Sequence, residues 1–353
     1  MPSSLAYWST TQTNQPPRSA GLFKMPMSDL LSSNPVAGSW ADDAIRRHSD
    51  GIFGKIVAAV IWSDARDADG EPLVPVDPLD LAASINRTRL ILLNNHDPGR
   101  PIGQVLECAE FEGAEGNRFV AAVLGYYAGG RTLTFREVGL QVAKDFSPPE
   151  ALPTLPENIW IELATDQREI DRSWVDALTS EPPLRIVRTK LSHNAAEAHQ
   201  ELIRVGVVFL TLVWNPFVTA IASEAGKATY AAVFGWFRKL LSRLADRRNP
   251  ILDIQASQAG CQVSFLFRGK DIDLHYAAHD ALASAATQAA RLIAHLKARG
   301  MPAERLVYEF NKEARKWHPS YAVLEDGRII TDSVQLIAIE QLPRGLSLGL
   351  KAQ

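Results

Sequence analysis

The chain has 353 residues, more than a single compact core usually contains, so we expect two domains. Its residues are 46% hydrophobic and 22% charged, as in a soluble globular protein. A net charge of −3 excludes a general attraction to nucleic acid or anionic lipid. Cys108 and Cys261 lie in apolar runs and predict buried free thiols. The N-terminus lacks the pattern of a secretory signal, so a cytoplasmic location is expected.

The first part of the chain divides into a polar arm and a strand-rich region. Residues 1–40 are rich in Ser, Thr, Asn, Gln and Pro, which predicts an extended or disordered arm. Residues 41–192 contain short apolar runs separated by turn residues, which favour a small β-barrel or sandwich. The expected strands are GKIVAAVIW, RLILLN, IGQVLECAEF, RFVAAVLGYY, NIWIELAT and LRIVRTKL.

Residues 193–248 have a helical pattern, with Asn194 and Glu197 spaced as in a capping box. Residues 205–223 carry no charge, and this length approaches that of a membrane span. We consider two interpretations: buried helices broken at Pro216, or membrane contact through residues 205–237.

A basic stretch follows this apolar segment. Its cations suit a solvated helix face, an acidic partner, a phosphate-bearing ligand or a membrane surface. They are Arg238, Lys239, Arg243, Arg247 and Arg248.

Residues 249–353 predict an α+β domain. The runs ILDIQAS and CQVSFLFRG suggest a hairpin, and a helix is expected from Asp273 to Ala298. Further strands are expected at LVYEF, YAVLEDGRIIT and LIAIEQ. The predicted fold class of the whole chain is therefore α+β, with an N-terminal barrel, a central apolar helical segment and a C-terminal α+β domain.

The segment LLNNHDPGRPIGQVLE, followed by GNRFVAAVLGYY, resembles the histidine region of phage prohead (capsid maturation) proteases. The resemblance covers about 40 residues well and residues 51–128 loosely. It implies a barrel like that of herpesvirus proteases and a serine peptidase in which His96 is the general base. Asp97 is not assigned as the orienting acid, because neighbouring residues at a strand end usually point apart.

The nucleophile expected from this resemblance is absent from its usual place. The family carries it on a Gly-hydrophobic-Ser-hydrophobic-Gly strand, and residues 129–147 offer only Ser147, before two prolines. The matching pattern GLSLGL, residues 345–350, makes Ser347 the candidate nucleophile. Without a nucleophile, the N-terminal part would be an inactive relative of these proteases that serves assembly.

Three further groups of residues suggest ligand sites. Arg315, Trp317, His318 and Tyr321 could stack a nucleobase or sugar of a phosphate-bearing ligand, or be core aromatics.

His275 and His279 have the spacing of a zinc pair but lack a third ligand. His193, Glu197 and His199 form an equally incomplete set. We therefore predict no metal and no cofactor.

Three functional hypotheses follow. The favoured one is a non-catalytic assembly or ligand-binding protein that meets a protein partner, copies of itself, or a phosphate-bearing or nucleotide ligand. The alternatives are a serine endopeptidase using His96 and Ser347, and a membrane-acting protein using residues 205–237. The sequence contains no pattern that strongly indicates nucleic-acid binding.

Overall fold

The computed structural model describes residues 27–66, 76–114, 116–139, 160–166, 169–191, 201–209 and 224–333. Within these residues the chain combines helices with two β-sheets, which confirms the α+β class.

The N-terminal unit is built on a four-stranded antiparallel sheet, here called the small sheet, with the order β1-β4-β3-β2. Its elements are α1 (Met27–Ser32), α2 (Pro35–Arg47), β1 (Lys55–Ser63), α3 (Pro78–Arg87), β2 (Ile91–Leu93), β3 (Pro101–Glu112) and β4 (Arg118–Tyr126). In the described part of the chain these strands form an open row, and the predicted barrel stays a prediction.

The prediction of an extended or disordered arm is wrong for residues 27–32 and 35–40, which are helical, and residues 1–26 lie outside the described residues. Asn34 caps α2 by accepting the backbone N–H of Ala37 at 3.0 Å, and Pro35 occupies the first turn. Polar residues in this described part therefore cap a helix or lie on its exposed face.

The rest of the described chain forms an eight-stranded mixed sheet, the large sheet, with the order β12-β11-β10-β9-β8-β7-β5-β6. Its strands are β5 (Trp160–Thr165), β6 (Arg185–Lys190), β7 (Glu201–Phe209), β8 (Pro250–Gln258), β9 (Cys261–Arg268), β10 (Ala303–Asn311), β11 (Lys316–Leu324) and β12 (Ile329–Ile330). Its helices are α4 (Arg172–Leu178), α5 (Glu224–Arg243), α6 (Ile272–Asp280) and α7 (Leu282–Ala298).

The helical prediction for residues 193–248 is confirmed at α5 but wrong at residues 201–209, which form the inner strand β7. The apolar run misleads because β7 is covered on both faces. The predicted domain limits at residues 192 and 248 both fall between strands of the large sheet. No helix of the described residues is long and apolar enough to cross a membrane.

The large sheet has two different faces. One, the helix face, is an apolar core packed by all four helices. The other, the docking face, meets the small sheet through a second core. That core joins Phe53, Ile91, Leu93 and Tyr127 of the N-terminal unit to large-sheet residues such as Leu266, Val307 and Tyr321.

Candidate functional site

The Asn-His-Asp segment holds the two sheets together. The buried side chain of Asp97 accepts the backbone N–H of Gly99 at 2.8 Å and bonds both terminal nitrogens of Arg268, at 2.7 and 2.9 Å. The Tyr321 hydroxyl donates to the carbonyl of Pro98 at 2.7 Å. This turn therefore docks the end of β2 onto β9 and β11.

Further charges complete this docking contact. Glu309 accepts Nε and Nη2 of Arg268 at 3.0 and 2.7 Å, and Arg100 lies 3.7 Å from the same carboxylate. A Cβ atom at Gly99 would overlap the side chains of Arg268 and Glu309. Gly99 is therefore needed for the close approach of the turn to the large sheet.

The proposed catalytic pair is not tested by these contacts. The backbone of His96 ends the short 3-10 helix Asn94–His96, directly after Asn95, whose φ of 50° lies in the left-handed region. The side chain of His96 and all of Ser347 lie outside the described residues. Both carboxylate oxygens of Asp97 bind Arg268, so Asp97 serves docking.

The predicted stacking site is not assembled by the structure. Trp317 is buried on the helix face and its indole N–H donates to the carbonyl of Ala278 at 2.7 Å, whereas Tyr321 is buried in the docking core. Arg315 lies in an exposed turn, and His318 is half-buried at a cavity that Trp317 and Tyr321 do not line. Strand alternation alone would place Trp317 and Tyr321 on one face. The extra residue Ser320 makes a bulge in β11, opposite Val307 and Tyr308 of β10, and puts the two rings on opposite faces.

The paired histidines of α6 are core residues. Nε2 of His275 lies 3.2 Å from the carbonyl oxygen of Arg268, and the ring of His279 stacks on Phe234 with centroids 4.3 Å apart. Burial lowers the pKa of His279 from 6.5 to about 4. Among the described residues no group of three metal-ligating side chains could hold an ion. His193, Glu197 and His199 lie outside that part of the chain.

Two cations of the basic stretch have partners within the protein. Arg238 pairs with Asp280 and stands over the ring of Tyr276, with its guanidinium carbon 4.5 Å from the centroid. Arg247 bonds Glu201 at 2.9 Å. These two cations fix α5 and the turn after it to neighbouring elements.

The structure instead gathers polar side chains in a cavity on the docking face. The cavity has a volume of about 370 Å³, and Thr88, Arg89 and Ile91 of the N-terminal unit contribute to its wall. Alternate residues of the strands point into it while their neighbours pack under the helices. The polar lining from the large sheet comprises Glu162, Thr189, Arg204, Gln255, Ser257, Gln262, Glu304 and Arg305.

A chain of hydrogen bonds runs beneath this cavity. Gln262 Nε2 donates to Gln255 Oε1 at 2.5 Å, and Gln255 Nε2 donates to Asp253 Oδ2 at 2.5 Å. Nε of Arg204 lies 3.7 Å from the same Asp253 oxygen, and both side chains are buried. Burial raises the pKa of Asp253, whereas Arg204, Gln255 and Ser264 favour its ionised form. This network fixes the amide of Gln255 in one orientation.

The two ends of the cavity differ in charge. At the β5 end, Thr189 Oγ1 donates to Glu162 Oε1 at 2.9 Å. A Cβ atom at Gly206 would stand 3.3 Å from the Glu162 Cβ, so glycine keeps this end open. At the β10 end, burial raises the pKa of Glu304, and the charges of Arg89 and Arg305 oppose that shift.

The sequence does contain a signal for this cavity that our sequence analysis missed. Asp253 and Gln255 interrupt β8 at alternate positions, as Gln262 and Ser264 do in β9. Arg204 is the one charged residue of β7 after its first residue, Glu201. Polar residues with period two inside buried strands indicate one shared polar face.

Comparison with known proteins adds no assignment: no family model, no curated protein and no solved structure matches the chain. The candidate site therefore stands on its own geometry.

Proposed function

We propose that this is a non-catalytic ligand-binding protein that takes a small polar molecule into the docking-face cavity. The observation that carries the proposal is the convergence of buried charged and amide side chains, Arg204, Asp253, Gln255 and Arg305, beside one cavity. A volume of about 370 Å³ lies in the usual range of small-molecule sites.

The energetic cost of this arrangement supports a role in recognition. A buried ion pair such as Arg204–Asp253 is often no more stabilising than apolar residues of similar volume. The helix face of the same strands is apolar throughout its core. Polar groups confined to the cavity side are therefore better explained by a ligand than by stability.

In this proposal the N-terminal unit has a structural role, as we inferred for an inactive relative of prohead proteases. Thr88, Arg89 and Ile91 complete the cavity wall, and the bonds of Asp97 to Arg268 keep the unit in place. Peptidase activity of His96 with Ser347 and self-assembly stay predictions from the sequence.

Ser257 provides a direct test, because it is exposed and lines the cavity. Ser257→Trp should fill the entrance with an indole that suits a β-strand and leaves the core untouched. A library of polar metabolites is screened by ligand-observed NMR against the natural chain and this variant. We expect ligands that bind the natural chain and lose at least about tenfold in affinity with Ser257→Trp.

Ser39→Trp is the matched control, since Ser39 is exposed on α2 and does not line the cavity. It should leave every affinity unchanged, and both variants should keep the thermal midpoint of the natural chain. Ligands that bind Ser257→Trp as tightly as the natural chain would overturn the proposed site. So would a library with no binder at all.

A further inference from the structure

Charges of both signs surround the docking-face cavity. Beneath its middle, Nε of Arg204 lies 3.7 Å from a carboxylate oxygen of Asp253. At the β10 end, the carboxylate of Glu304 interacts with the charges of both Arg89 and Arg305. Each of these three cations therefore has an opposite charge close to it.

The turn between β11 and β12 adds further charges at the β10 end. Glu325 acts on Glu304, while Asp326 lies near Arg89 and accepts Nε of Arg328 at 2.7 Å. Neither sign of charge therefore dominates the cavity. A charged ligand gains little from such a site, whereas a neutral molecule with many hydroxyl groups can donate to the carboxylates and accept from the guanidinium groups.

The floor of the cavity is a gap in a row of side chains. Gly206 of β7 lies in register with Glu162 of β5 on one side and with Gln255 of β8 on the other. Two strand spacings, about 10 Å, separate the backbones of β5 and β8. The Glu162 carboxylate leans over the glycine, since its Oε2 lies 3.7 Å from the position of a Cβ atom there. A carboxylate and an amide thus face each other across an open floor.

The polar groups beside this gap are held by the protein itself. Gln255 is fixed between Asp253 and Gln262, with a bond of 2.5 Å to each, and Glu162 accepts the hydroxyl of Thr189 at 2.9 Å. An amide has a second N–H, and a carboxylate has further lone pairs, beyond bonds of this kind. Groups that donate and accept in fixed positions suit the adjacent hydroxyl groups of a sugar, which also donate and accept.

An exposed indole lies beside the cavity on the same face of the sheet. Trp160 precedes Glu162 by two residues on β5, so the two side chains point to the same face. Its side chain is 44% exposed. The registers of β5 on β7 and of β7 on β8 place it at the same end of the sheet as Ser257. The negative face of an indole attracts C–H groups such as those of a sugar ring.

We propose, on the basis of the ligand-binding function above, that the ligand is a neutral disaccharide. One ring lies over Gly206 and shares hydrogen bonds with Glu162 and Gln255, and the ring joined to it lies on Trp160. About 7 Å along β5 separates Trp160 from Glu162, so a molecule of two linked rings can contact both.

The probes are a panel of free neutral disaccharides and the monosaccharides that they contain. Saturation-transfer NMR finds the binders, and isothermal titration calorimetry measures their affinities. A disaccharide should bind the natural chain at least about tenfold more tightly than either of its monosaccharides, because only the disaccharide also reaches Trp160. A panel without a binder, or a disaccharide that binds no more tightly than its monosaccharides, would overturn the inference.

Two variants assign the two rings. Trp160→Ala should remove the advantage of the disaccharide and leave the affinity of the monosaccharide unchanged. Glu162→Gln should weaken both sugars about tenfold, because an amide accepts a hydroxyl more weakly than a carboxylate does. Leu79→Ala and Glu112→Gln are the matched exposed controls outside the cavity and should change no affinity. Equal losses for both sugars in Trp160→Ala would contradict the stacking.

Charged sugars test the balance of charges around the cavity. Galacturonate is negative and glucosamine is positive, and each is compared with its neutral parent sugar. We expect neither to bind more tightly than its parent. A gain of about tenfold or more for either one would show that the cavity selects a charge, and the inference of a neutral ligand would fail.

Ser257→Trp separates the disaccharide inference from the binding function itself. If other polar metabolites bind and are lost with Ser257→Trp while no sugar binds, the proposed function stands and the disaccharide inference fails. If disaccharides bind Ser257→Trp as well as the natural chain, the cavity is not their site and both fail.

Discussion

Asp97, which follows the candidate base His96 at the end of β2, joins the two sheets. Its two oxygens form a fork with Arg268, the geometry in which a carboxylate and a guanidinium bind most strongly. One of them also caps the turn at Gly99. Packing between the two sheets therefore explains the polar residues of this turn.

Replacing Asp97 should destabilise the whole chain. Asp97→Ala removes both bonds to Arg268 and leaves the Gly99 N–H buried without that acceptor, so we expect a loss of about 2–3 kcal/mol in the free energy of unfolding. Urea unfolding followed by circular dichroism measures it. Asp43→Ala breaks the exposed pair with Arg46 and should cost less than about 0.5 kcal/mol. Equal losses in the two variants would refute the docking role.

Helix α6 contains a buried histidine whose pKa is lowered in the folded chain. Its residue His279 lies between Phe234 and Phe237 of α5, with ring centroids 4.3 and 5.9 Å away. Burial is the main cause of the lowered pKa of His279, Arg238 lowers it further, and Asp280 opposes the change. The neutral imidazole is therefore the form that the folded chain accepts.

This arrangement predicts a loss of stability in acid. The pKa of His279 falls from 6.5 in the unfolded chain to about 4 in the folded one, so between these two pH values the unfolded chain takes up the proton and the folded chain largely does not. Its contribution is complete above pH 6.5 and is lost as the pH falls toward 4, by about 2 kcal/mol at pH 5. We expect His279→Leu to reduce the difference in unfolding free energy between pH 7 and pH 5 by that amount.

Each variant is compared with itself at two pH values. Any change in unfolding free energy that comes from altered packing therefore cancels. His295→Leu, an exposed position on α7, is the control and should keep the pH dependence of the natural chain. If His279→Leu keeps it as well, another group is responsible for the loss.

The sequence predicts strands well where turn residues bound a short apolar run. The strands β3 and β4 and the hairpin of β8 and β9 have such turns. The prediction fails at β7, because this strand continues without a turn residue into the uncharged segment 205–223 and looks like part of a longer helix. The predicted stacking site failed for a different reason, which Trp317 illustrates. An aromatic residue in a polar segment suggests a ligand contact, and only the position of α6 shows that this ring is buried.

At the scale of the molecule, the second core joins the two sheets. Phe53 and Tyr127 of the N-terminal unit stack with centroids 5.6 Å apart, and both belong to the cluster that contains Val323 and Ile329 of the large sheet. Separating the units would expose this cluster and the charged groups around Arg268 together. The part of the cavity wall that the N-terminal unit contributes depends on the same contact.

The shared core predicts a single cooperative unfolding transition for both sheets. With 5-fluorotryptophan incorporated, Trp62 reports on the small sheet and Trp236 on α5, and their ¹⁹F signals should lose native intensity at one urea concentration. Tyr321→Phe removes the hydroxyl bound to Pro98 and should lower both midpoints together, at a cost of about 1 kcal/mol. Tyr126→Phe, in the core of the small sheet, controls for loss of a tyrosine hydroxyl. Separate midpoints for the two signals would mean that the units unfold independently, and the cavity between them would then open without unfolding of the large sheet.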